Sequence, residues 1–170
     1  AEMSAAPSCS AEATPAKEAG NNAFREGRFE EAYVHFSEAI RLDARSALLR
    51  SNRAGALSSQ GRHAEALADA EVCTLLQPDW WKGFSRRGKA QFDLGLPAEA
   101  EGSFREALRL NPQEQSVAES LQRAVLKRQE QGGRPALRAT GAATLGAPPA
   151  PSTSAGAPPG TGGDFRRVSE

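Results

Sequence analysis

The sequence predicts an all-α protein, an α–α superhelix of three stacked helix pairs closed by one further helix. Gly27, Gly61 and Gly95 stand 34 residues apart, and the stretch around each glycine nearly repeats. Between these glycines, small and apolar residues recur at offsets of four and three, which place them on one face of a helix. Pro78 and Pro112 follow the second and third units, where a helix is expected to stop. A repeat of this length built from helical patterns is typical of stacked helix pairs.

Seven helices are expected along the chain. Each unit has a first helix, a turn at its glycine and a second helix, because glycine accommodates the positive φ with which many helices end. The second helices carry the repeated packing face, namely Ala32, Phe36, Ala39 and Leu42, then Ala66, Ala70, Cys73 and Leu76, then Ala100, Phe104, Ala107 and Leu110. We predict first helices near 14–26, 48–60 and 81–94, second helices near 30–42, 64–76 and 98–110, and a seventh near 115–130.

The composition predicts one helical domain between two disordered ends. The seventh helix carries an apolar stripe of Val117, Leu121, Ala124 and Val125 and a polar outer face, as a capping helix requires. Both ends have very few large apolar residues, and so cannot bury enough surface to offset their ordering entropy. The predicted boundaries are a disordered segment 1–12, a domain 13–131 with repeats 13–46, 47–80 and 81–114 and a cap 115–131, and a disordered Gly/Pro/Ala-rich tail 132–170.

Charge and cysteine content narrow the function classes. Lys plus Arg and Asp plus Glu both number 21, so no global basic field points to nucleic acid. Cys9 and Cys73 give no disulfide framework, and we expect Cys73 to be a buried thiol. No long apolar run predicts a membrane span, and no secretory signal is recognised, so we expect a cytoplasmic protein. His35 and His63 occupy unlike repeat positions, and we expect no metal or other cofactor.

A basic face on the first helices is the candidate binding site. Residues at offsets of three, four and seven share a helical face. On that face the three first helices carry cations and two amides: Lys17, Asn21, Asn52, Lys82, Arg86 and Lys89. Lysine supplies a point charge, asparagine a neutral donor and arginine a fork of donors, which together suit an anionic group. A carboxylate is favoured, and a phosphate would also fit the charge.

The packing pattern resembles the tetratricopeptide repeat family. The family motif A-x3-F-x2-A reads Ala32, Phe36, Ala39 in the first unit and Ala100, Phe104, Ala107 in the third, with Pro112 near the end of that unit. Two departures are Ala44 in place of the first proline and Ala70 in place of the second aromatic residue, and no repeat has the early tryptophan. The resemblance implies a stack of helix pairs whose first helices line a concave groove.

The groove residues resemble those of the heat-shock organising protein (stress-inducible phosphoprotein) family of co-chaperones. These proteins grip the C-terminal Glu-Glu-Val-Asp of heat-shock chaperones in a two-carboxylate clamp. Lys17, Asn21, Asn52, Lys82 and Arg86 match the five clamp residues in identity and spacing. The resemblance implies that the first three hold the terminal main-chain carboxylate, that Lys82 holds the terminal aspartate side chain, and that Arg86 contacts the peptide backbone or a preceding acid. Candidates for a pocket that takes upstream peptide residues are Phe24, Gly55, Ser58, Lys89 and Phe92.

The resemblance predicts an adaptor rather than an enzyme, with the C-terminus of a ninety- or seventy-kilodalton heat-shock chaperone as partner. One alternative is a repeat scaffold that binds another protein through a different face. Another is the targeting half of a larger isomerase or phosphatase, in which the tail would be a linker. Within the tail, Arg166-Arg167-Val168-Ser169 matches a basophilic kinase pattern and makes Ser169 a candidate phosphosite.

Overall fold

The computed structural model describes residues 7–132, which form seven α-helices and contain no strand. Each predicted helix is present, and its ends lie within two residues of the predicted ones. The all-α prediction is therefore confirmed. The helices are α1 Thr14–Arg25, α2 Phe29–Leu42, α3 Ala47–Ser59, α4 His63–Leu76, α5 Trp81–Asp93, α6 Pro97–Leu110 and α7 Gln115–Gly132.

The same turn joins the two helices of every pair. Gly27, Gly61 and Gly95 have φ of 76°, 75° and 78°, as their position between helical patterns predicts. In each turn the residue after the glycine donates its backbone N–H five residues back, as in the 2.9 Å bond from Arg28 N to Ala23 O. This is the Schellman arrangement, which satisfies carbonyls at the helix end and requires positive φ at one residue. The repeating glycine thus sets the angle between the paired helices.

The packing face of the second helices forms the core. Ala32, Ala66 and Ala100 are all buried, and each pair packs on the next to give a continuous stack. The first helices also meet one another, because α3 contacts both α1 and α5, and α5 contacts α7. We call the surface formed by α1, α3 and α5 the groove face. Of the leucines that end the second helices, Leu76 and Leu110 pack against core clusters, whereas Leu42 is 37% exposed.

A size complementarity explains why Ala70 departs from the repeat motif. A Cβ at Gly20 would lie 2.6 Å from Phe36, and a Cβ at Gly88 would lie 2.7 Å from Phe104, so each ring requires a glycine. Ala54 and Ala70 are the corresponding residues of the second repeat, and both are buried. Where the ring is absent, a methyl group is therefore tolerated on the facing helix. The residue on the first helix and the residue on the second helix differ together between repeats, because the two side chains would occupy the same volume.

The N-terminal segment differs from the prediction. The backbone N–H of Ser10 donates to Asp43 Oδ2 at 2.7 Å, and Ser46 Oγ donates to the carbonyl of Ser8 at 2.9 Å. Cys9 packs against a cluster that includes Ala13. Polar side chains of the α2–α3 loop thus contact residues 8–10, within the segment that was predicted to be disordered. Residues 1–6 lie outside the described part of the chain.

Helix α7 closes the stack. Val117 and Ala124 are buried against Phe104 and its neighbours. Glu101 of α6 is also buried, and it pairs with Arg105 and, at 3.1 Å, with Nε of Arg128 on α7. The helix runs to Gly132, one residue past the predicted cap, and the rest of the predicted tail, including Ser169, lies outside the described residues. Within residues 7–132, no helix has both the length and the apolar character needed to cross a bilayer.

Candidate functional site

The groove face brings together five side chains from three helices. Lys17 and Asn21 are one turn apart on α1, and Lys82 and Arg86 are one turn apart on α5. Asn52 lies on α3, which packs between those two helices. Helical spacing puts each pair on one side of its helix, and the stacking of the repeats puts the three helices side by side. Residues that are distant in sequence therefore border one surface.

The two asparagines are in contact. Asn52 Nδ2 donates to Asn21 Oδ1 at 3.3 Å, across the boundary between the first and second repeats. Because the carbonyl of Asn21 accepts this bond, both N–H groups of its own amide are left for another partner. The second N–H of Asn52 is left in the same way. The pair therefore offers several neutral donors between Lys17 and the cations of α5, where an acceptor with two oxygens could bind.

Arg86 is half buried without a negative partner. No carboxylate among residues 7–132 forms an ion pair with it, and burial lowers the pKa of its guanidinium. The group lies flat against α3, since a Cβ built on Gly55 would be 3.3 Å from Cζ of Arg86. A guanidinium taken from water and left unpaired is unfavourable, and an anion bound beside it would relieve that cost. This residue marks the groove as an anion site more strongly than any other.

The two lysines complete the cationic border. Lys17 is half buried and Lys82 is exposed, and neither forms an ion pair with a carboxylate in residues 7–132. The ammonium of Lys82 lies 5.5 Å from the ring centroid of Trp81, a cation–π contact that leaves it without a negative partner. All three cations of the set are thus available to a ligand. Chemically, the three cations and the amide donors suit one or two carboxylates.

The predicted upstream pocket is only partly assembled. Lys89 and Phe92 do line a common cavity, together with Asp93, Phe104, Ser120 and Arg123. Phe24 packs edge-to-face against Phe29 instead, with ring centroids 5.3 Å apart. Gly55 serves as the surface on which Arg86 rests, and Ser58 is not in the lining of the cavity. Of the five candidates, two meet at the cavity.

Sequence analysis missed two charged residues of this cavity. One is Asp93, whose Oδ2 is 2.8 Å from Lys89 Nζ. The spacing of four residues on one helix could have identified that pair. Arg123 lies on α7, outside the repeats, so no repeat position indicated its neighbours.

The expectation that Cys73 is a buried thiol agrees with the structure. Cys73 is fully buried, and burial raises the pKa of its thiol to about 12. The thiol is therefore protonated near neutral pH, and the thiolate that a nucleophile requires is not formed. Trp80 packs in the same cluster as Cys73, between the second and third repeats. These residues stabilise the stack.

Comparison with known proteins identifies the family. The family model described as tetratricopeptide repeat matches residues 83–114, the third predicted unit. The second TPR domain of human RPAP3, solved in complex with the HSP70 peptide SGPTIEEVD, is 33% identical to this chain, with a TM-score of 0.64. The match covers 67% of this chain and 95% of that domain. The chain belongs to the tetratricopeptide repeat family.

Relatives of this TPR domain include co-chaperones. It is 47% identical over 109 residues to the Hsp70-Hsp90 organizing protein of Triticum aestivum, a match that takes in 64% of this chain and 19% of that protein. The first TPR of Spaghetti (RPAP3), solved bound to the HSP90 peptide SRMEEVD, is 27% identical to this chain, with a TM-score of 0.68. The match covers 71% of this chain and 97% of that one. The chain therefore spans about a fifth of the length of the wheat relative.

Proposed function

We propose that this TPR domain is a co-chaperone adaptor module that binds the C-terminal Glu-Glu-Val-Asp of heat-shock chaperones. The main support is the groove face, where Lys17, Lys82 and Arg86 have no acidic partner among residues 7–132 and Asn21 and Asn52 keep free donors. The TPR relatives solved with peptides that end in this sequence support the same function. The partner would be a chaperone of the ninety- or seventy-kilodalton class, and the compartment the cytoplasm.

Each side chain has a proposed role. Lys17, Asn21 and Asn52 hold the terminal main-chain carboxylate, which accepts hydrogen bonds on both oxygens. Lys82 pairs with the side chain of the terminal aspartate, and Arg86 donates to the peptide backbone or to a preceding acid. A hydrogen bond to a charged group contributes about 1.5–3 kcal/mol, so the loss of one member weakens binding by roughly tenfold or more.

The domain works as a binding unit without catalysis. It comprises three repeats over 13–46, 47–80 and 81–114 and the capping helix that follows, with further chain on either side. The wheat relative is an organising protein by name, which favours an adaptor over the targeting half of an isomerase or phosphatase. In a longer protein, the module would bring a chaperone tail to whatever the neighbouring segments bind.

A calorimetric titration with Ser-Arg-Met-Glu-Glu-Val-Asp tests the proposal. The free-acid peptide should bind, and the same peptide with a C-terminal amide should not, because the amide removes the terminal charge. Lys82→Ala should lose most of the affinity. Lys127→Ala is the matched control, since Lys127 is an exposed lysine of α7 that is not one of the five proposed clamp residues. Equal binding of acid and amide, or of the two lysine variants, would assign the interaction to another face of the scaffold.

A further inference from the structure

A cavity lies at one end of the groove face, beyond the proposed clamp. It opens between α5, α6 and α7 and has a volume of about 90 Å³, several times the space that one buried water needs. Lys89 on its wall follows Arg86 by three residues, about one turn of the same helix. A peptide that leaves the clamp toward the C-terminal end of the domain would therefore meet this cavity next. It is lined by Lys89, Phe92, Asp93, Phe104, Ser120 and Arg123.

Arg123 contributes a guanidinium that is hydrogen-bonded to a serine but forms no ion pair within residues 7–132. Its Nη2 donates to Ser120 Oγ at 3.1 Å, a hydrogen bond that orients the guanidinium beside the cavity. Among residues 7–132, no carboxylate forms an ion pair with Arg123, whereas Arg128 on the same helix pairs with Glu101. The guanidinium thus keeps donors for an anion at this position.

Lys89 is neutralised in the free domain. Its Nζ lies 2.8 Å from Asp93 Oδ2, and Nδ1 of His63 approaches the same oxygen at 3.6 Å. Asp93 is the one acidic residue of the lining, against two cations, so the cavity carries a net positive charge. An incoming carboxylate could bind to Arg123 and share Lys89 with Asp93. The same Asp93 would reduce the affinity for that carboxylate by like-charge repulsion.

The remaining lining is aromatic. Phe104 is buried and Phe92 is half buried against the same core cluster. Apolar walls lower the local dielectric and strengthen the attraction between a bound anion and the two cations. The walls also suit the methylene groups of a glutamate side chain.

We propose that this cavity binds a third acidic side chain, located N-terminal to the Glu-Glu-Val-Asp of the partner. The inference rests on the proposed function and adds the chemistry of the preferred partner. The two peptides bound to the RPAP3 domains, SRMEEVD and SGPTIEEVD, carry no acid upstream of that sequence. The partner that suits this domain best therefore has an additional carboxylate or phosphate there.

Paired peptides test the inference. Each of the three residues before Glu-Glu-Val-Asp in Ser-Arg-Met-Glu-Glu-Val-Asp is replaced in turn by Glu, by Gln and by phosphoserine, and affinities are measured by calorimetry. At one position, the Glu peptide should bind about threefold tighter than its Gln counterpart, the effect expected of a partly exposed ion pair. A phosphoserine that exceeds Glu would identify phosphate as the preferred anion, and the reverse would identify a carboxylate.

Three variants locate the effect. Arg123→Gln should abolish the preference for Glu over Gln, and Lys127→Gln, the same charge change one turn farther on, should keep it. Asp93→Asn should enlarge the preference, a gain that misfolding cannot produce. Equal affinities for Glu and Gln at all three positions, or a preference that survives Arg123→Gln, would overturn the inference. If the unaltered peptide still binds in that case, the proposed clamp remains supported and only the acidic pocket is contradicted. If no peptide binds, both the clamp and the acidic pocket are contradicted.

Discussion

The outer surface and the groove face of this domain treat their cations differently. On the outer surface, arginines pair with glutamates three residues away, as Arg41 does with Glu38 and Arg109 with Glu106. On the groove face, Lys17, Lys82 and Arg86 have no such partner among residues 7–132, although Arg86 is partly buried. These two outer arginines are paired within the domain. The three groove cations lack this compensation within residues 7–132, and burial of the unpaired Arg86 is a cost to the folded state.

Helix α3 contains both polar residues that are paired within the domain and a polar residue that faces the groove. Arg53 forms a two-pronged bond to Asp69 of α4, at 2.6 and 2.7 Å, and Arg50 reaches the same carboxylate at 3.3 Å. Asn52, one residue earlier than Arg53, faces α1 and the groove. One helix therefore separates a network that stabilises the fold from a donor that is available to a ligand, and variants can test that separation.

Asp69→Asn should produce the largest effect, and on stability alone. Asp69 is only 4% exposed, and its loss would leave Arg50 and Arg53 partly buried without their anion. Removal of one partner of a buried pair costs about 3 kcal/mol. Urea unfolding should detect that loss, while the folded variant should bind the Glu-Glu-Val-Asp peptide with the affinity of the parent. A weaker peptide affinity in Asp69→Asn would contradict the separation of the two faces.

Arg86→Met should give the opposite result. Affinity for the peptide should fall by roughly tenfold or more, because a charge-assisted hydrogen bond is lost. Burial lowers the pKa of this guanidinium, which means that its charge is unfavourable in the free domain. An apolar side chain of similar length should therefore leave the thermal midpoint equal or higher. A clear drop in that midpoint would indicate that Arg86 has a structural role.

Most of the fold and the placement of the groove residues could be predicted from the sequence, because the repeat fixes equivalent positions in the three helix pairs. Glycines at a fixed interval and small residues at offsets of four and three fix where each helix lies and which side is buried. The same register places Lys17, Asn21, Asn52, Lys82 and Arg86 on neighbouring first helices, and the contact between Asn21 and Asn52 agrees with that placement. That these five hold a carboxylate remains a prediction.

Features outside the register could not be predicted. Ser8 and Ser10 are held by Asp43 and Ser46, and no repeat position indicates that a loop side chain will capture a preceding segment. Arg123 lies on α7, where the repeat has ended, so its neighbours across α5 depend on how the cap packs. Contacts between elements that do not repeat require the three-dimensional structure.

Gly55→Ala should produce a smaller effect on the groove side. A Cβ there would lie 3.3 Å from both Cζ and Nη2 of Arg86, so the guanidinium would have to shift. Affinity should fall by about threefold, an amount typical of one weakened polar contact. Stability should not fall, because alanine is favoured over glycine within a helix. Gly102→Ala on α6, where an added Cβ meets nothing within 4 Å, is the control and should leave affinity unchanged.

The smallest effect should be the pH dependence of an outer pair. The hydrogen bond from Arg109 lowers the pKa of Glu106 below its ordinary value in the folded domain. A carboxyl group of this kind contributes stability above its unfolded pKa of about 4.3, and the contribution is lost as the pH falls through the folded value. Glu106→Gln should therefore be slightly less stable than the parent at pH 7, and the difference should vanish once the pH falls below the lowered pKa of Glu106. Glu18→Gln is the control, since Glu18 forms no ion pair within residues 7–132, and should match the parent at both pH values. A difference for Glu106→Gln that persists at low pH would mean that the side chain stabilises α6 by packing and not by its charge.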